Sequence, residues 1–174
     1  DRKKGICILF FTTLISTVLP VFTVTGASCY FMEKVYGRKD KYPTRIYFLL
    51  WSLFALGYIL IISLYKNSFL MTTFGLLSMI LISCFYRQYK NKLVYTSFFY
   101  LYLVILDVSA LPIVSLLFQI ETEKALHIDF FRLCMPIISS ILIVVTVRLI
   151  VQYINRNQYK KSRLDINVVS FIAL

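Results

Sequence analysis

The sequence predicts an all-α, polytopic transmembrane helix bundle: five complete spans, the start of a sixth, and the amino end outside. Three observations predict it. Hydrophobic residues make up 59% of the chain and aromatics 17%, where soluble domains sit at about 45–50% apolar; mean hydropathy is +0.77. The apolar residues are gathered into runs near the roughly 20 residues that cross a bilayer. The turns between the runs alternate between strongly and weakly basic. With no water in the hydrocarbon to satisfy backbone groups, such runs should be helices.

The first run covers 6–32 and contains Pro20. Arg2, Lys3 and Lys4 resemble the basic start of a signal peptide, but a signal core is about 7–15 residues. This run is much longer, and no small-residue cleavage site stands out before Lys34, so a true span is expected. The second run covers 46–65 and the third 68–86. The fourth, 93–120, is interrupted by Asp107 and Pro112. The fifth, 130–154, carries Arg132 near one end, Arg148 near the other, and Pro136. A sixth begins near 166 and reaches 174. Tyrosines such as Tyr36, Tyr42, Tyr47, Tyr86, Tyr89 and Tyr153 gather near the run ends, where amphipathic rings favour the headgroup level.

The turns set the orientation. Lys34, Arg38, Lys39, Lys41 and Arg45 follow the first run, Arg87, Lys90 and Lys92 the third, and Arg156, Lys160, Lys161 and Arg163 the fifth. The alternate turns carry only Lys66 and Lys124. The positive-inside rule places the basic turns in the cytoplasm, against the pull of the three basic residues at the start. A sixth span would leave the chain outside and a seventh would return it, so most of a seven-span bundle is expected, with an output domain downstream.

Composition excludes some functions. The formal net charge of +11 is spread over turns between spans rather than along one face, so no nucleic-acid partner is expected. Cys7, Cys29, Cys84 and Cys134 lie in or beside apolar runs without Cys-x-x-Cys spacing, and read as small hydrophobes. There is no His-Glu-x-x-His helix, nucleophile elbow or phosphate-cradling glycine loop. No catalytic residue, metal or cofactor is expected.

The candidate residues are few. Asp107 sits near the middle of the fourth run, and an acid at that depth costs about 2.5–3.5 kcal/mol on insertion scales. It is expected to face the bundle interior, as a switch or ligand contact or as hydrogen-bonded packing. Pro112, five residues on, kinks the helix and reads either as a hinge beside the acid or as packing, since proline is common in membrane helices. Arg148 is the cation to test as a partner. By helical rise, however, Asp107 lies about 20 Å from the cytoplasmic end of its run and Arg148 about 9 Å from its own. Arg148 is therefore expected to snorkel to the headgroups. The acidic outer turn, with Glu121, Glu123, His127 and Asp129, is either a ligand contact or a solvated charge cluster.

These residues carry a resemblance. A short turn at Lys66-Asn67 leads into a run ending Cys84-Phe85-Tyr86. A polar turn ending Asn91-Lys92-Leu93 is followed by an aromatic-rich run with the central acid Asp107. A long aliphatic run then ends in Tyr159-Lys160-Lys161-Ser162. This resembles the membrane sensor region of Gram-positive receptor histidine kinases with a GHKL-type ATPase domain, including the peptide-pheromone quorum-sensing receptors. The resemblance implies a bacterial cell-membrane receptor of a two-component system. Its ligand would be an extracellular, often peptidic, signal; its partners would be the lipid bilayer and a second copy of the chain; a kinase would follow downstream. Asp107 is the single residue carried over. The residues alone leave two other readings open: a small-molecule binding subunit of a membrane importer, and a non-catalytic subunit of a membrane complex.

Overall fold

The computed structural model describes residues 2–65, 68–87, 91–119 and 129–160, with side chains placed over 15–64, 68–87, 91–119 and 134–156. Five helices follow in order: α1 Arg2–Val35, α2 Thr44–Tyr65, α3 Ser68–Ser83, α4 Lys92–Phe118 and α5 Asp129–Lys160. Among the described residues there is no strand, only an isolated antiparallel bridge between Arg38 and Tyr86. Four of the helices are long and apolar enough to cross a membrane, over Ile15–Val35, Thr44–Leu64, Lys92–Phe118 and Cys134–Arg156. α3 is shorter. At 16 residues it reaches about 24 Å, against a hydrocarbon core of roughly 30 Å. The apolar run continues to Tyr86, but the chain leaves the helix after Ser83 because 84–86 are drawn into a turn against the α1–α2 loop. The sixth run lies outside the described residues.

The helix ends have local causes. α1 stops where Gly37 takes φ +71°, and the amides of Tyr36 and Gly37 both bond the Met32 carbonyl, at 3.0 and 3.2 Å. A left-handed residue there closes the last turn at no Cβ penalty. Pro43 precedes α2, where a missing amide costs nothing. α4 is bounded by Asn91 and Gln119, both left-handed. Pro20, Pro112 and Pro136 sit inside helices, as membrane helices tolerate when neighbours satisfy the freed carbonyls.

The five helices form a closed ring. Each packs on its sequence neighbour, and α5 returns to pack on α1, its most extensive partner. Leu53, Leu56, Leu60, Leu77, Leu81, Leu101, Ile105, Val145 and Leu149 stay exposed on the outside. An apolar exterior of this extent suits lipid rather than water.

The core is lopsided. Nearly all of it lies at the end where α1 finishes and α4 begins, the end that carries the basic turns. There Phe31 stacks on Phe99 at 3.8 Å across the ring. Met32, Tyr47, Met79, Tyr86, Leu103, Ile143 and Val147 are at most 2% exposed. Toward the other end the core reduces to Val114 packed against Met135 and Ile138. Beyond Ala55 in α2, and before Gly75 in α3, no described side chain is fully buried. Among the described side chains the ring is therefore tight at the basic end and loose at the opposite end.

A polar clasp seals the basic end. The Arg87 amide bonds the Gly37 carbonyl at 3.1 Å, and its side chain reaches the Arg38 carbonyl and both Asp40 oxygens at 2.8 Å. The Tyr47 hydroxyl accepts from the Lys39 amide at 2.8 Å and donates to the Phe85 carbonyl at 2.9 Å. Trp51 Nε1 donates to the Tyr86 hydroxyl at 2.9 Å. Arg38 pairs with Glu33 and lies over the Tyr47 ring at 5.3 Å.

Candidate functional site: a polar layer around Asp107

Tyr100, Leu103, Asp107, Ala110 and Val114 recur at helical spacing along one face of α4. Four of them are buried, with Leu103, Ala110 and Val114 at most 2% exposed, yet Asp107 is exposed. The lipid-facing stripe of α4 is a different one, running through Leu101, Ile105, Val108 and Pro112. Asp107 is thus the exposed position on the packed face of α4, at the boundary between the tight and loose halves of the ring.

Ser139 of α5, itself 2% exposed, donates to Asp107 Oδ1 at 2.5 Å. The next residue, Ser140, is hydrogen-bonded to Thr23 of α1 at 3.0 Å; Thr23 also lies 2.9 Å from the Leu19 carbonyl. Successive residues on a helix point about 100° apart, so this serine pair ties α5 to α4 and to α1 at one level.

The other two helices contribute through tyrosines. The hydroxyls of Tyr58 on α2 and Tyr100 on α4 are 3.4 Å apart. Both lie within electrostatic reach of Asp107. Tyr100 also reaches the Met71 carbonyl of α3 at 3.5 Å. It fits there because α3 presents Gly75: a Cβ at that position would sit 1.9 Å from the Tyr100 hydroxyl. All five helices therefore supply groups to one polar layer. Elsewhere in α1 and α4, Thr25 Oγ1, Ser28 Oγ and Ser115 Oγ are buried without a hydrogen-bond partner.

The remaining candidates fall elsewhere. Pro112 is exposed on the lipid-facing stripe, and its place in α4 removes the amide that would bond the Val108 carbonyl, beside Asp107. Arg148 is exposed and lines a groove of about 410 Å³ between α1 and α5, with Gly26, Ala27, Tyr30, Val144 and Val147. It lies nine residues from Ser139, an axial offset of about 13 Å. Among the described residues the ion pairs are Glu33–Arg38 and Asp40–Arg87, both at the basic end. Glu121, Glu123 and His127 lie outside the described residues.

Linear reading finds Asp107 and misses its surroundings. Ser139, Tyr58, Tyr100 and Gly75 had faint signals: a Ser-Ser pair inside an aliphatic run, and a lone glycine in a short one. Only packing shows that they meet.

Chemically, the layer offers a carboxyl group, phenols and hydroxyls. It can bind and orient a polar or cationic group, but it presents no activated nucleophile. Among the described residues no three His, Cys, Asp or Glu side chains cluster as metal ligands. Compared with protein-family models, curated proteins and solved structures, the chain has no match.

Proposed function

We propose that this chain is a membrane-embedded sensor domain. With the basic end in the cytoplasm and the amino end outside, the loose half of the ring faces outward. An extracellular ligand, of the signalling-peptide class that the sequence resemblance implies, enters there and engages Asp107. Engagement competes with the Ser139 hydrogen bond and shifts α4 against α5. The shift passes along α5 to a cytoplasmic histidine kinase.

One observation carries this reading: an exposed acid on an otherwise buried stripe, at the floor of the loose half and above a tightly packed, clasped end. A ligand moves a two-state system only by binding one state better. A tie between α4 and α5 that runs through the ligand-contacting group supplies that difference. Polar groups from five helices would also suit the substrate pocket of an importer subunit, and this is the reading to test against.

The test uses the intact protein in nanodiscs, with conditioned culture medium as the source of signal and kinase autophosphorylation as the readout. The wild type should respond. Asp107→Asn, present at normal membrane level, should lose about tenfold or more of the response, since about 1.4 kcal/mol of differential binding is tenfold. A wild-type response in that variant discards Asp107 as the switch. Solute accumulation without phosphoryl transfer moves the chain to the importer class.

A further inference from the structure

A second feature lies outside the polar layer, on the lipid-facing side of the ring where α4 meets α5. A groove of about 370 Å³ runs between Tyr102 of α4 and Leu149, Ile150, Gln152 and Arg156 of α5. Arg156 stands at the basic end of its membrane segment, Cys134–Arg156. Thr146 and Tyr102 line the opposite end of the groove. Thr146 lies ten residues before Arg156, and Tyr102 ten residues after Lys92 at the basic end of α4; both offsets amount to about 15 Å. The groove is thus one leaflet deep, since half of a roughly 30 Å hydrocarbon core is about 15 Å.

Its chemistry is graded along that length. At the basic end, a guanidinium and the Gln152 amide provide donors suited to phosphate oxygens. Further in, Leu149 and Ile150 form the floor, and the Thr146 hydroxyl is already spent on the Leu142 carbonyl at 2.6 Å. Apart from the Tyr102 hydroxyl, the inner reach is therefore apolar in effect. The companion groove between α1 and α5 lacks this grading: its cation, Arg148, lies eight residues or about 12 Å nearer the membrane centre.

We infer that the α4–α5 groove is a site for one anionic phospholipid of the leaflet at the basic end, with its phosphate on Arg156 and Gln152 and an acyl chain along Leu149 and Ile150. The length of the groove selects a lipid over a free anion, and the charge selects an anionic head over a zwitterionic one. Basic pockets between membrane helices recognise anionic headgroups in this way. The site holds α5 by the face opposite its α1 contact, independently of what Asp107 binds.

The test is retention of lipid by the intact protein in native mass spectrometry, after exchange into palmitoyl-oleoyl phosphatidylglycerol or phosphatidylcholine. The wild type should retain one phosphatidylglycerol in preference to phosphatidylcholine. Arg156→Gln should lower that retention about fivefold, the worth of one arginine at an anionic surface, while Arg148→Gln leaves it within about twofold. Should Arg156→Gln fail to insert, Leu149→Trp fills the apolar reach with Arg156 intact and should also lower retention. Equal retention of the two lipids overturns the site. So does an equal fall in the Arg148 and Arg156 variants, or unchanged retention in Leu149→Trp. Displacement by millimolar inorganic phosphate overturns it as well, by reducing the site to an anion contact.

Discussion

At the scale of residues, the polar layer turns on contacts that single substitutions address. Ser139→Ala removes the donor to Asp107. Hydrogen bonds between membrane helices average about 0.6 kcal/mol and reach about 1.7, so a loss in that range is expected in reversible unfolding in bicelles. Gly75→Ala should cost more. Its Cβ meets the Tyr100 hydroxyl at 1.9 Å and ring carbon Cζ at 2.3 Å, and overpacking of this kind costs about 1–3 kcal/mol. The damage should be largely relieved in the double variant with Tyr100→Leu, because the clash belongs to the pair and the two changes couple. Additive losses would place the strain elsewhere. Of this site, sequence exposes only Asp107, because an acid in an apolar run stands out alone. Tyr58 and Tyr100 are hidden among 13 tyrosines, most of which invite the same interfacial reading.

At the scale of elements, the clasp at the basic end separates contacts that hold structure from those that decorate it. The Asp40–Arg87 pair is well solvated, with Asp40 90% exposed. Exposed ion pairs contribute about 0–1 kcal/mol, so Asp40→Ala should shift unfolding by less than about 0.5 kcal/mol. Trp51→Phe should do more: it removes the buried donor to the Tyr86 hydroxyl, which accepts from Trp51 Nε1 at 2.9 Å. Losing a hydrogen bond of this kind costs about 0.5–1.5 kcal/mol. Equal small effects would make the clasp a solvated surface feature. The same clasp explains why α3 is shorter than its apolar run. Residues 84–86 are apolar enough to continue a helix, but their backbone and rings are held against 36–47: the Phe85 carbonyl accepts from Tyr47, and the Phe85 ring lies 5.5 Å from Tyr42. Helix propensity and hydropathy carry no trace of that capture, and the expected limit at 86 overshoots for this reason.

At the scale of the whole molecule, ring closure makes a prediction. Thr23 on α1 and Ser140 on α5 touch through their hydroxyls at 3.0 Å although 117 positions separate them. The double variant Thr23→Cys, Ser140→Cys should therefore oxidise to an intramolecular disulfide, seen as a mobility shift that reductant reverses. The same pair at Leu56 and Val145, both on the exposed exterior, should not. Failure of the first pair would mean that α5 does not return to α1.

The sequence by itself determined the class of molecule and the approximate limits of its helices. Hydrocarbon admits only backbone that satisfies itself, and long apolar runs then have one solution. It singled out the acid for the same reason, since charge at that depth is conspicuous. The tertiary structure alone decided the closed ring, the tight and loose halves, the hydroxyl and phenol partners around Asp107, and the groove above Arg156. Between helices in lipid, hydrophobicity does not discriminate one apolar face from another, so association rests on shape and on a few hydrogen bonds. Those are properties of pairs of residues far apart in the chain, and no run of letters displays them.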